Sequence, residues 1–178
     1  ITAREMLLPV PAVIGSPQPL PEAFAVLIYL PDAHQSDYNV EATMDVVRAM
    51  PGTPFLLVGG YSPVDPPPNL EILGYVRDMP AVYGRTTVFL RLSHHDGMSH
   101  SVIEALSFAR YAVWSSPYTS AIHVDGVPAA IDALAALQHQ HDEGALAPNA
   151  PGAAAVAERF APETVLAAVK ARLDHILS

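Results

Sequence analysis

The chain has 178 residues, with 9 basic and 18 acidic side chains, a formal charge of −9, and no cysteine. Hydrophobic residues make up 51% and charged residues 15%, so enough apolar surface can be buried to offset the ordering entropy, which excludes a disordered chain. The missing cysteines exclude a disulfide scaffold and a thiolate metal site, and the acidic balance argues against a nucleic-acid binder.

Residues 1–23 read as a connector. Pro9, Pro11, Pro17, Pro19 and Pro21 each remove a backbone donor and favour extended chain. A regular domain is expected over 24–178. Ala25 to Tyr29 is a short continuous apolar run, as in a strand buried on both faces. Val40, Met44 and Val47 recur at helical spacing, and Pro51-Gly52 ends that helix. Phe55 to Val58 is a second strand, closed by Gly59-Gly60. Leu70 to Leu73 is a third, followed by Gly74. Asp78 can cap a short helix, with Pro80 in its first turn. Thr87 to Leu90 and Tyr111 to Trp114 are further strands, with a helix over Ser101 to Ala109 between them. C-terminal helices are expected over about 129–178, with a loop from Glu143 to Gly152. Strands alternating with helices predict an α/β, Rossmann-like parallel sheet. No apolar run approaches the roughly 20 residues of a membrane helix, and no secretory signal is visible, so a cytoplasmic protein is expected.

In an open parallel sheet, ligands bind beyond the carboxyl ends of the strands. The loop after Leu90 is the richest in chemistry there. Gly97 lets a ligand approach the backbone, and the following helix offers free N–H groups at its positive end. Asp96 and Glu104 flank that turn with seven residues between them, and could hold two ends of an elongated polar ligand. The plainer alternative is a helix capped by Ser99 or Ser101, with Glu104 in solvent. His94, His95, Asp96 and His100 could also be read as a metal cluster, but no HExxH-type spacing supports it, and no metal is expected. His139 to Glu143 reads as a solvated helix end.

The stretch Leu70 to Trp114 resembles the donor-binding, C-terminal half of GT-B glycosyltransferases of the retaining family 4 (group 1) type. The resemblance rests on Leu73-Gly74-Tyr75-Val76, Asp78 to Tyr83, Val88-Phe89-Leu90, Ser93, Asp96-Gly97 and Glu104-Ala105-Leu106. Weaker likenesses lie at Phe55 to Gly60, Val124-Asp125-Gly126 and Glu158-Arg159-Phe160. It implies a nucleotide diphosphate sugar donor and no cofactor. Asp96 would bind the transferred sugar, and Glu104 the ribose. Backbone N–H groups of Gly97, Met98 and Ser99 would face sugar or diphosphate, beside Ser93. Tyr75 and Val76 would bracket the base, and His95 would hydrogen-bond the donor.

The resemblance further implies an acceptor-binding N-terminal domain outside these residues. The chain by itself would then bind donor without turnover, and peripheral membrane contact would run through the absent half. Two departures stand out. Between Ala25 and Val47 there is neither the Arg nor the Lys that the family places after its first strand; Tyr38 falls near the lysine position, and His34 alone could carry charge. Asp96 replaces the commoner Glu. Arg91 is either a substitute phosphate ligand or the ion-pair partner of a carboxylate such as Asp96. Two rival readings are a degenerate module acting in assembly or regulation and another GT-B enzyme, such as a nucleotide-sugar epimerase.

Overall fold

A computed structural model describes residues 15–33, 35–118 and 120–177; residues 1–14, most of the expected connector, and His34 lie outside this range. Among the described residues, the strands are β1 (Val26–Tyr29), β2 (Phe55–Val58), β3 (Leu70–Gly74), β4 (Val88–Arg91), β5 (Tyr111–Trp114) and β6 (Ile122–His123). They form one parallel sheet in the order β3-β2-β1-β4-β5-β6. The order reverses between β1 and β4, which opens a crevice at their carboxyl ends. The helices are α1 (Val40–Ala49), α2 (Met79–Gly84), α3 (His100–Ser107), α4 (Gly126–Asp142), α5 (Ala150–Phe160) and α6 (Pro162–Leu177).

Alternation along each strand makes two cores. Val26, Ile28, Phe55, Leu57, Val88 and Leu90 face α1 and α4, meeting Met44, Val47, Leu134 and Leu137. Leu27, Leu56, Phe89, Ala112 and Trp114 face the other way, against Val102, Ile103 and Leu106 of α3 and Val156 and Phe160 of α5. Each such side chain contributes about 1.5–3 kcal/mol by leaving water. This two-sided burial is why the central strands read as unbroken apolar runs.

Several elements differ from expectation. α3 ends at Ser107 instead of Ala109, because Ala109 takes the left-handed conformation (φ 60°). Ala109 N–H donates to Leu106 O and Arg110 N–H to Ala105 O, a Schellman closure that ends the helix. β6, with two residues, is too short to carry a periodic signal. α4 begins at Gly126, three residues before its apolar pattern. The predicted loop 143–152 is shorter than expected. Asn149 Oδ1 accepts the Gly152 N–H at 3.1 Å and Pro151 sits in the first turn, so α5 starts at Ala150. Asp78 caps α2 as expected, accepting the Ala81 N–H.

Residues 15–23 have no regular structure but lie against the rest of the described chain. Gly15 N–H donates to Ser107 Oγ (2.8 Å), Gln18 N–H to Phe108 O, and Arg110 Nη2 to Pro19 O (2.8 Å). Among the described residues no helix is long and apolar enough to cross a membrane.

Candidate functional site

The turn Asp96–Ser99 stands at the carboxyl edge of the sheet, between two depressions that share no lining residue.

The first is a cavity of about 210 Å³. Tyr29 at the end of β1, Val58-Gly59 at the end of β2, and Tyr75, Val76 and Met79 from the β3–α2 segment form its walls, with Tyr83, Phe89, Ser101 and Glu104 deeper in. Its geometry depends on Gly59. A Cβ there would stand 2.2 Å from the Leu30 carbonyl oxygen, and φ is +109°, so only glycine lets β1 and β2 end this close together. Tyr75 is exposed at the mouth. Glu104 is half-buried on α3, and Tyr83 donates its hydroxyl to Glu104 Oε2 at 3.1 Å. Burial pushes the Glu104 carboxyl above its usual range, partly offset by the Tyr83 hydrogen bond and by His100. Burial and the adjacent carboxylate push the Tyr83 hydroxyl upward, so it remains a donor. Tyr83 is held in place by stacking on Phe108, with ring centroids 4.8 Å apart. Glu104 Oε1 has no partner among the described residues.

The second is an open basin of about 660 Å³, lined by Asp96, Gly97, Met98, Trp114, Ser116, Pro117, Tyr118, His123 and Arg159. Asp96 Oδ2 accepts from Arg91 Nε at 2.5 Å and from Ser93 Oγ at 3.3 Å, and both partners hold that oxygen alone. The two carboxylates therefore share one arrangement: one oxygen is tied down and the other is unpartnered. Arg91 lies over the Tyr38 ring, 4.6 Å from its centroid, and Tyr38 meets Tyr29 edge-on. A cation from β4 thus covers the Tyr38 ring. The Arg91 terminal nitrogens make no hydrogen bond among the described residues.

Ser99 Oγ accepts the Val102 N–H and caps α3, as the plainer reading held. Its backbone N–H, and those of Gly97 and Met98, donate to nothing among the described residues. A Cβ on Gly97 would meet only open space, so the fold itself does not require glycine there. His95 is exposed and lines neither depression, while His94 is anchored through its backbone to Asp37 O. Among the described residues, no three metal-ligating side chains come together. Tyr83 and Arg159, present in the stretches that carry the resemblance, had no site role expected of them. Tyr83 sits one helical turn after Met79, a spacing that could have paired them on one face.

This strand order and layering define an α/β, Rossmann-like fold. Similar folds occur in solved glycosyltransferases. A sucrose-phosphate synthase from Thermosynechococcus elongatus matches with a TM-score of 0.70 and 14% identity, over 89% of this chain and 47% of its own. A TarM variant from S. aureus, solved with fondaparinux, alpha-GlcNAc-glycerol and UDP, matches at 0.68 and 16% over 85% and 36%. The C-terminal domain of a group 1 family glycosyl transferase (LpcC) from Francisella tularensis matches at 0.53 and 13% over 78% and 86%. The chain has the fold of a C-terminal GT-B domain. It spans 36% to 48% of the longer chains it matches. No known family model and no curated protein matches the sequence.

Proposed function

We propose that this chain is the donor-binding domain of a retaining glycosyltransferase of the hexosyltransferase type. It would transfer a sugar from a nucleotide diphosphate sugar to an acceptor, as one half of a two-domain enzyme. The observation that carries this reading is the pair of half-anchored carboxylates on either side of one N–H-rich turn.

The cavity at Glu104 suits a base and ribose. Tyr75 and Val76 bracket the base, and Glu104 Oε1 accepts ribose hydroxyls while Tyr83 holds the other oxygen. Asp96 Oδ1 accepts hydroxyls of the sugar, with Ser93 and Arg91 setting its orientation. The N–H groups of Gly97, Met98 and Ser99 and the Arg91 terminal nitrogens face the diphosphate. His95 would reach the donor only by moving its loop. In transfer, the bond from the anomeric carbon to the diphosphate oxygen breaks, and the diphosphate leaves with the electron pair. Fixed donors near that oxygen stabilise the developing charge. The acceptor hydroxyl attacks and gives up its proton, a role assigned to the other domain. Residues 1–23 connect the two halves in this reading, and 24–178 carry the donor.

Arg91 over Tyr38 also bears on the lost Arg and Lys. The cation is relocated from the β1–α1 loop to the end of β4, next to the same crevice. Calorimetry with uridine, guanosine and adenosine diphosphates tests the reading: one should bind and the others bind more weakly. A folded chain that binds none at millimolar concentration contradicts it and favours a non-catalytic module.

A further inference from the structure

The basin beside Asp96 contains a cation that the donor reading does not use. Arg159, at the end of α5, is exposed and forms no ion pair among the described residues. In a chain of net charge −9, an unneutralised arginine lining a cavity is a specific feature. Its guanidinium lies over the Tyr118 ring, 6.0 Å from the centroid, and 5.5 Å from that of Phe160. Aromatic faces hold a guanidinium flat while leaving its edge N–H groups free. The only carboxylate among the described residues lining the basin, Asp96, is already paired with Arg91. Trp114, also lining the basin, buries its indole Nε1 without an acceptor. His123 is turned to Ser115 O. The basin therefore offers a free cation, and the one carboxylate among its described lining residues is neutralised.

We propose that this basin binds an anionic substituent, carboxylate or phosphate, carried on a sugar, with Arg159 as its counter-ion. The sugar assignment rests on the donor reading of Asp96; the anion assignment rests on Arg159 and the basin. A carboxylate or phosphate matches the planar guanidinium in a bidentate pair. A neutral hydroxymethyl group would leave the cation unmatched. Arg159 is then a specificity-determining residue, selecting acidic over neutral sugars at this turn. A sugar acid on the donor and a phosphorylated sugar on the acceptor would supply the same chemistry.

The experiment uses Trp114, the only tryptophan, which lines the basin and gives a single indole N–H resonance. The chain is titrated with glucuronate, glucose 6-phosphate and glucose. At least one anion should shift that resonance saturably, at least about tenfold more tightly than glucose. Arg159→Gln should abolish the preference, and Arg159→Lys should keep part of it. Tighter glucuronate binding identifies a sugar acid as the source, and tighter glucose 6-phosphate identifies a sugar phosphate. Three results overturn the proposal: glucose binding as tightly as both anions, Arg159→Gln retaining the preference, or no saturable shift with any of the three. Uridine diphosphate is titrated separately and followed at Tyr75. Loss of that binding with the anion preference intact would defeat the donor reading and leave the anion site standing.

Discussion

The two depressions flanking the Asp96–Ser99 turn differ in kind. The one at Glu104 is small and walled by Tyr29, Tyr75, Val76, Met79 and Phe89, with its carboxylate half out of water. The one at Asp96 is three times larger in volume, open, and carries Arg159, His123 and Ser116 on its rim. The acids are wired differently as well. Glu104 is held by a neutral hydroxyl and feels burial, while Asp96 is held by an arginine. A narrow slot walled by aromatic rings, with one carboxylate, suits a flat base and its ribose. A wider, more open basin suits a group that a second reactant must also reach. The difference teaches that one helix start can place two carboxylates in two differently shaped surroundings.

Four substitutions would sharpen or break that contrast. Glu104→Ala should cost nucleotide binding about 2 kcal/mol, or about thirtyfold, with melting unchanged. Equal calorimetric affinities for variant and parent would remove Glu104 from the site. Asp96→Asn should cost about 1.5 kcal/mol for a nucleotide sugar, and little for the bare nucleoside diphosphate. A loss equal for both would merge the two regions into one. Tyr83→Phe keeps the stacking on Phe108 and removes the donor to Glu104. It should weaken nucleotide binding about fivefold, near 1 kcal/mol. Gly97→Ala should leave stability within about 0.5 kcal/mol, since its methyl meets nothing. Any larger fall in melting temperature would mean the turn is a packing element.

Tyr83→Phe also carries a pH signature. Burial raises the Glu104 carboxyl above its unfolded value, so the folded chain holds more protons than the unfolded one just above the usual carboxylate range. Stability there falls as pH rises, while ionised Glu104, and with it nucleotide affinity, increases. The Tyr83 hydrogen bond lowers the Glu104 pKa, so its removal should move the affinity midpoint to higher pH. A titration of affinity against pH that is unchanged in Tyr83→Phe would contradict this wiring.

Much of this was legible in the residues. Ala25 to Tyr29 and Phe55 to Val58 announced themselves because burial on both faces leaves no polar alternation. The helix start after the acid-Gly turn was legible from its capping serine, and Ser99 does cap α3. What could not be read was pairing across elements. Arg91 had two open fates, and the structure gives it Asp96 while leaving its terminal nitrogens unpartnered. Tyr83 and Arg159 lie 21 and 55 residues from Glu104, and only the sheet order brings them to the same edge. The start of α5 escaped because Asn149 and Pro151, which begin it, looked like loop residues.

The central claim is that the cavity at Glu104 receives the nucleotide. Backbone amide shifts during a uridine diphosphate titration test it most directly. The account predicts saturable shifts at Gly59, Tyr75, Val76, Ser101 and Glu104, lost in Glu104→Ala. Shifts confined to other parts of the folded chain, or none at millimolar nucleotide, would contradict it.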